Sequence, residues 1–288
     1  MIRFGSNNKI KLAMGIRIGI GLRIGGRKAG GYTIVNDELE TYVTGLATPL
    51  SDGQLQLLDE LISGLKEDLA STTLAEDFDV FRILGNETSE SSLKNLAKNA
   101  HHGTLEGVAP PVFTALEGFK GTGNGIIDTH YAPATEGEKY TQNNGSYGIY
   151  YRKGDVIGAV MAGTGNVTNG NLSMYGYNGT AFNRSWINSL NFDAIALTYA
   201  LGFKILTRTG ATHGHWINGV GGTATEASAM PPGNIFLCGK NDGTGSVGSY
   251  SQAQIAVELA GRYFTVKEHE KIRARIQTYM IANGKGAT

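Results

Sequence analysis

From His101 onward the chain reads as short β-prone pieces cut by turn signals at close spacing, and nothing else in the sequence restricts the fold as much. The pieces are 112–115, 146–151, 156–160, 193–197, 202–206, 234–237 and 255–259. Between them fall Asn144-Gly145, Asn169-Gly170, Asn178-Gly179, Asn218-Gly219 and Asp242-Gly243. Both residues of such a pair tolerate the positive φ of a tight hairpin. No helical periodicity intervenes, which argues for an antiparallel sandwich or jelly roll rather than crossover units on a parallel sheet. The expected class is mainly β, with 42 glycines in 288 residues in keeping with many turns.

Two helical stretches flank this body. Ser51 with Gln54 three residues later forms a capping-box pattern, after which Leu55, Leu58, Leu61, Ile62, Leu65 and Leu69 recur at helical spacing. A second helix is predicted over 74–84 and a short third over 89–98. At the far end Thr265 and Glu268 repeat the capping pattern, with Ile272, Ile276, Tyr279 and Met280 on one face of a closing helix.

The charges balance overall, with 25 basic and 25 acidic residues, but they are segregated. Residues 1–36 carry seven basic groups and no acid, residues 37–90 carry thirteen acids against Lys66 and Arg82, and the remainder is mildly basic. This division predicts three pieces: a basic glycine-rich arm (1–36), an acidic helical segment (37–99) and the sandwich with its closing helix (100–288). The zero net charge gives no reason to expect nucleic acid as a partner. No apolar run of 18 residues is present to span a membrane as a helix. The single Cys238 excludes a disulfide within the chain and any paired-cysteine zinc site.

Within the arm, Ile16, Ile18, Ile20, Leu22 and Ile24 alternate with glycines and with Arg17 and Arg23. Such alternation puts the apolar residues on one face of a strand, and the glycines on the other let a second backbone come close. The Ile face needs a cover. It is either an edge strand of the main domain or a docking arm ordered by another subunit, with Ile16 to Ile24 and the two arginines as the assembly residues.

The motifs Asn99-Ala100-His101-His102, Phe113-Thr114-Ala115 with Glu117-Gly118-Phe119, Ile127-Asp128-Thr129, Tyr131-Ala132-Pro133 and Tyr140-Thr141-Gln142-Asn143 before Ser146-Tyr147-Gly148 resemble a known family. So does the ending, Gln254 to Leu259 followed by Gly261-Arg262-Tyr263-Phe264-Thr265 and a helix. The family is that of virion appendage proteins, of the tail- or head-fibre and receptor-binding type, in tailed bacteriophages that infect Bacteroidota. The resemblance covers about residues 40–288 and implies a concanavalin A-like, laminin-G-like sandwich. It also implies a structural virion protein that forms a homo-oligomer (a trimer) and whose sandwich attaches to bacterial surface glycan; the arm, outside the resemblance, is then expected to hold other virion proteins. A head or tail decoration protein without ligand is the alternative, and a polysaccharide-degrading hydrolase the second alternative. No binding residue carries over from the family.

Sugar binding requires aromatic faces with polar groups beside them. That composition occurs at Tyr175, Tyr177 and Asn178, at His215 and Trp216, and at Trp186, which are the candidate glycan-binding residues. Glycoside hydrolysis through paired carboxylates needs two acids at a set distance. The nearest match, Glu136-Gly137-Glu138, lies in a turn-like context, and no Gly-x-Ser-x-Gly elbow is present. The expectation is therefore a chain that is not an enzyme, with no catalytic residues. His213-Gly214-His215 has chelating spacing, but a third ligand would have to converge from Cys238, His130 or Asp242. No metal ligand and no cofactor is assigned, and calcium, common in such sandwiches, is left open.

Overall fold

A computed structural model describes residues 28–29, 31–153, 159–166, 168–175, 183–189, 193–195 and 201–286. The alternating arm, Ile16 to Ile24, lies outside the described residues, as do Tyr177 and Asn178.

In chain order, a hairpin of β1 (Lys28–Ala29) and β2 (Tyr32–Thr33) leads to helices α1 (Asp37–Val43) and α2 (Asp52–Leu69), β3 (Phe78–Arg82) and α3 (Ser89–Leu93). The body follows with β4 (Thr104–Ala109), β5 (Val112–Thr114), β6 (Gly118–Lys120), β7 (Asn124–Asp128) and the single turn α4 (Pro133–Glu136). Next come β8 (Asn144–Lys153), β9 (Val160–Asn166), β10 (Gly170–Tyr175), β11 (Asn183–Ser189) and β12 (Asp193–Ile195). The hairpin series β13 (Gly202–Thr209), β14 (Thr212–Ile217) and β15 (Val220–Thr225) precedes β16 (Phe236–Leu237), β17 (Gly239–Asn241) and β18 (Val247–Tyr250). Finally β19 (Gln254–Gly261) runs into α5 (Val266–Ala282).

The strands form two large antiparallel sheets, confirming a mainly β sandwich. One has seven strands in the order β12-β11-β10-β9-β16-β7-β4. The other has eight, β15-β14-β13-β8-β19-β6-β5 with β3 paired to β19. Alternation along each strand divides the buried side chains between two layers. Tyr147, Ile149, Tyr151 and Leu206 point between the sheets to meet Met161, Leu172, Met174 and Ile187. Tyr150, Phe203, Ile205, Val257 and Leu259 point the other way, into a second core under α2 and α5. The molecule thus has three layers, helix on sheet on sheet.

The helix ends follow the sequence closely. Thr265 and Glu268 form the full reciprocal capping box at α5. At α2 only half of it forms: Ser51 Oγ accepts from the Gln54 amide, while the Gln54 side chain turns inward to Asn86 and Tyr279. That diversion ties α2 to α5. The two helices also approach closely at Gly64, where a Cβ would fall 2.7 Å from the Arg275 guanidinium. Arg275 crosses there to hold Asp68 at 2.7 Å.

Two helix expectations are corrected. Residues 74–84 form a single 3-10 turn, Leu74–Glu76, and then β3, not a helix. All five residues of β3 are buried, because Phe78 and Phe81 face the helical layer while Val80 and Arg82 join the layer between the sheets. A strand buried on both faces shows no alternation and is easily read as helix. The acidic segment thereby contributes a strand to the sandwich. The third helix stops at Leu93 instead of running to 98. Asn95 instead bonds the β3 backbone, giving its side-chain amide to Asp79 O and accepting from Phe81 N.

Candidate functional site

The Asn169-Gly170 turn joins β9 to β10, and β10 runs up the seven-stranded sheet to end at Tyr175. Leu172 and Met174 point inward, so Tyr175 lies on the outer face, as does Trp186, which alternates with the inward Ile187. The two rings pack at a centroid distance of 5.2 Å and an angle of 49°. Trp186 is buried and Tyr175, packed against it, is half-buried.

Beside Tyr175 opens a cleft of about 220 Å³, lined by Asn166, Lys240, Asp242 and Ser249 together with Gly165 and Gly248. Its far wall is the β17–β18 hairpin. Asn166 is held by its own turn: Oδ1 accepts from Thr168 N (2.9 Å) and Asn169 N (3.0 Å), and Nδ2 donates to the Asp242 carbonyl (3.1 Å). The Asp242 carboxylate accepts from the Thr244 hydroxyl (2.6 Å) and amide (2.8 Å), bonds that hold its pKa below the usual range. The Lys240 ammonium has no hydrogen-bond partner among the described residues; burial lowers its pKa, and Asp242 partly opposes that. An aromatic face, an amide, a carboxylate and an ammonium thus converge on one open recess. That combination can stack on a pyranose and bond its hydroxyls.

The other candidates lie elsewhere. Trp216 is packed under α5 with its ring 5.0 Å from His269, covered by the helical layer and away from Tyr175. His215 is buried between the sheets in register with Leu206, and desolvation together with the Lys204 charge pushes its pKa down to about 3. His213 is buried as well, so the His-x-His pair faces the interior and not solvent. Glu136 and Glu138 belong to a loop pinned by Asp79, whose buried carboxylate accepts from the amides of Glu138, Lys139 and Tyr140 and from Tyr131 OH. The Glu138 side chain is 70% exposed and pairs with Lys98.

Two features had no sequence signal. A larger cleft of about 610 Å³ lies between α1 and residues 94–99. Its lysines are all engaged by the chain: Lys66 with Asn36 and Glu38, Lys94 with the Tyr42 and Thr44 carbonyls, Lys98 with Asp79 and Glu138. Between the sheets, Arg82 of β3 pairs with its register neighbour Glu258, and Tyr147 OH donates to the same carboxylate at 3.2 Å. Arg82 also donates to the Thr129 carbonyl at 2.7 Å. Both members of the pair are fully buried, as is Tyr147.

No family model and no curated protein matches the sequence. Among solved structures the fold is similar to that of a mutant Trypanosoma rangeli sialidase displaying trans-sialidase activity, with a TM-score of 0.50 at 12% identity over 82% of this chain. The chain spans 40% of that sialidase. The same sialidase bound to a difluoro-KDN compound gives a TM-score of 0.46 at 11% identity, covering 82% of this chain and 41% of that one. Domain 4 of an arabinanase from Geobacillus stearothermophilus, in complex with arabinotriose, gives 0.42 at 12% identity, covering 68% of this chain and all of that domain. The likeness to the first of these is one of fold, a β-sandwich. The sialidase likeness also corrects the expectation that the chain is not an enzyme. That expectation rested on a missing carboxylate pair, which not every glycosidase requires.

Proposed function

We propose that this chain engages carbohydrate through the cleft beside Tyr175. The observation that carries the reading is Tyr175 seated on Trp186 at the edge of a recess lined by Asn166, Lys240 and Asp242. The sialidase likeness supports a second reading, in which the bound glycoside is also cleaved. The resemblance of the 99–148 and 254–265 motifs supports a setting for either one: an appendage of a bacteriophage particle, trimeric, with the basic arm holding other virion proteins and the sandwich turned to the bacterial surface.

The test is a glycan array of bacterial surface polysaccharides and sialylated oligosaccharides, read with wild type and Tyr175→Ala. The expected result is binding that weakens at least about tenfold in the variant, equal to about 1.4 kcal/mol, at an unchanged melting temperature. No binding at high micromolar concentration sinks the carbohydrate reading. New reducing ends or free sugar in the same mixtures establish cleavage. Light scattering on the full chain and on one starting at Thr33 tests the assembly: a trimer that becomes a monomer on truncation supports the arm, and two monomers refute trimerisation through it.

A further inference from the structure

At the β4 edge of the seven-stranded sheet, well apart in strand order from Tyr175, three side chains of different chemistry converge. Asp128 ends β7, His130 follows two residues later, and Glu106 stands on β4, two residues beyond Thr104, which is the register partner of Asp128. One ligand atom from each of Glu106, Asp128 and His130 lies within 4.8 Å of the other two. We propose that these residues form a binding site for a divalent first-row transition ion, zinc foremost.

The hydrogen bonds determine what the cluster offers. Thr104 Oγ1 lies 3.4 Å from Glu106 Oε1 and 2.9 Å from His130 Nε2, bridging the two side chains. His130 Nδ1 lies 3.9 Å from Asp128 Oδ2. An imidazole nitrogen thus faces a carboxylate, with the Glu106 carboxylate alongside. Two carboxylates this close repel one another, and a divalent ion between the three groups reverses the sign. Ligands about 2.0–2.2 Å from zinc lie some 3.4 Å apart, so small side-chain rotations close the site.

The surroundings suit the purpose. Asn234 Nδ2 donates to both Asp128 oxygens, at 3.0 and 3.2 Å, and the His130 amide donates to Oδ1 at 2.8 Å, which keeps the carboxylate aimed. The His130 carbonyl lies 2.7 Å from the ring of His101, so the loop is braced from behind. Glu106 and His130 are exposed, leaving the site open for entry and for a water or outside ligand at the remaining position. An imidazole among the ligands favours zinc over calcium, which takes oxygen alone.

The experiment is calorimetric titration of the untagged, chelator-stripped full chain with zinc chloride, then with manganese and calcium chlorides. One zinc per chain is expected, with affinity reduced about tenfold or more in His130→Ala and in Glu106→Gln. Metal-free melting temperatures should match wild type, because both side chains are exposed. Absence of stoichiometric zinc binding overturns the proposal, as does binding that His130→Ala leaves unchanged. Calcium binding in preference to zinc overturns it too. An imidazole that titrates as a cation paired with Asp128, by NMR in zinc-saturated buffer, would likewise show that a proton and not a metal occupies the gap.

Discussion

The two sheets of the sandwich share a core but differ in what lies over their outer faces. The eight-stranded sheet presents Tyr150, Phe203, Ile205, Val257 and Leu259 to α2 and α5, which cover them with Leu58, Ile62, Ile272 and Ile276. The seven-stranded sheet presents Tyr175, Trp186, Asp128 and Thr104 on its outer face, together with a recess and a cluster of ligand-type atoms. One face holds the fold together and the other offers chemistry. The difference arises because buried apolar faces demand a cover, whereas polar groups supported by their own turns do not.

The comparison can be broken or sharpened in several ways. Removing the buried partner of Glu258 should do most damage. Arg82→Leu strands a carboxylate between the sheets and is expected to cost about 3–5 kcal/mol in denaturant unfolding. A near-wild-type midpoint would mean that this layer tolerates charge. On the helix-covered face Phe203→Ala should cost a comparable 3–5 kcal/mol through the cavity it leaves; a cost under about 1 kcal/mol would remove the distinction between the faces.

His215 gives a pH test. Its folded pKa lies near 3, below the ordinary 6.5, so from pH 6.5 downward the unfolded chain takes up a proton that the folded chain refuses. Stability contributed by this group is complete above pH 6.5 and falls as pH drops toward 3. His215→Gln should flatten that part of the profile, and an unaltered slope would show that other groups set it. Loss of the α5 cap, Thr265→Ala, is expected to cost about 1 kcal/mol. Smallest of all, Tyr175→Ala on the open face should change stability by less than about 0.5 kcal/mol while weakening sugar binding; a large loss of stability would make the ring part of the core.

Much of this was legible from residue order. The α2 and α5 periodicities and their N-terminal caps are local devices, and local devices survive into the fold. Asn218-Gly219 makes the β14–β15 turn with φ of 49° and 86°, as its chemistry required. Misreading came where burial came from both sides, as at β3, or where a motif's meaning depended on which face it took. His213-Gly214-His215 looked like a chelator and became interior packing, while Glu106, Asp128 and His130, 24 residues apart at most, were brought together only by the pairing of β4 with β7.

The sequence by itself determined the β class, the closing helix and the segregation of charge, because turn propensity, capping and amphipathic period act over a few residues. Tertiary structure alone decided that Tyr175 would stand on Trp186 and Trp216 under a helix, and that Arg82 would meet Glu258 across 176 residues. Strand order and register select such neighbours, and they follow from the burial of whole faces and not from any local stretch of chain.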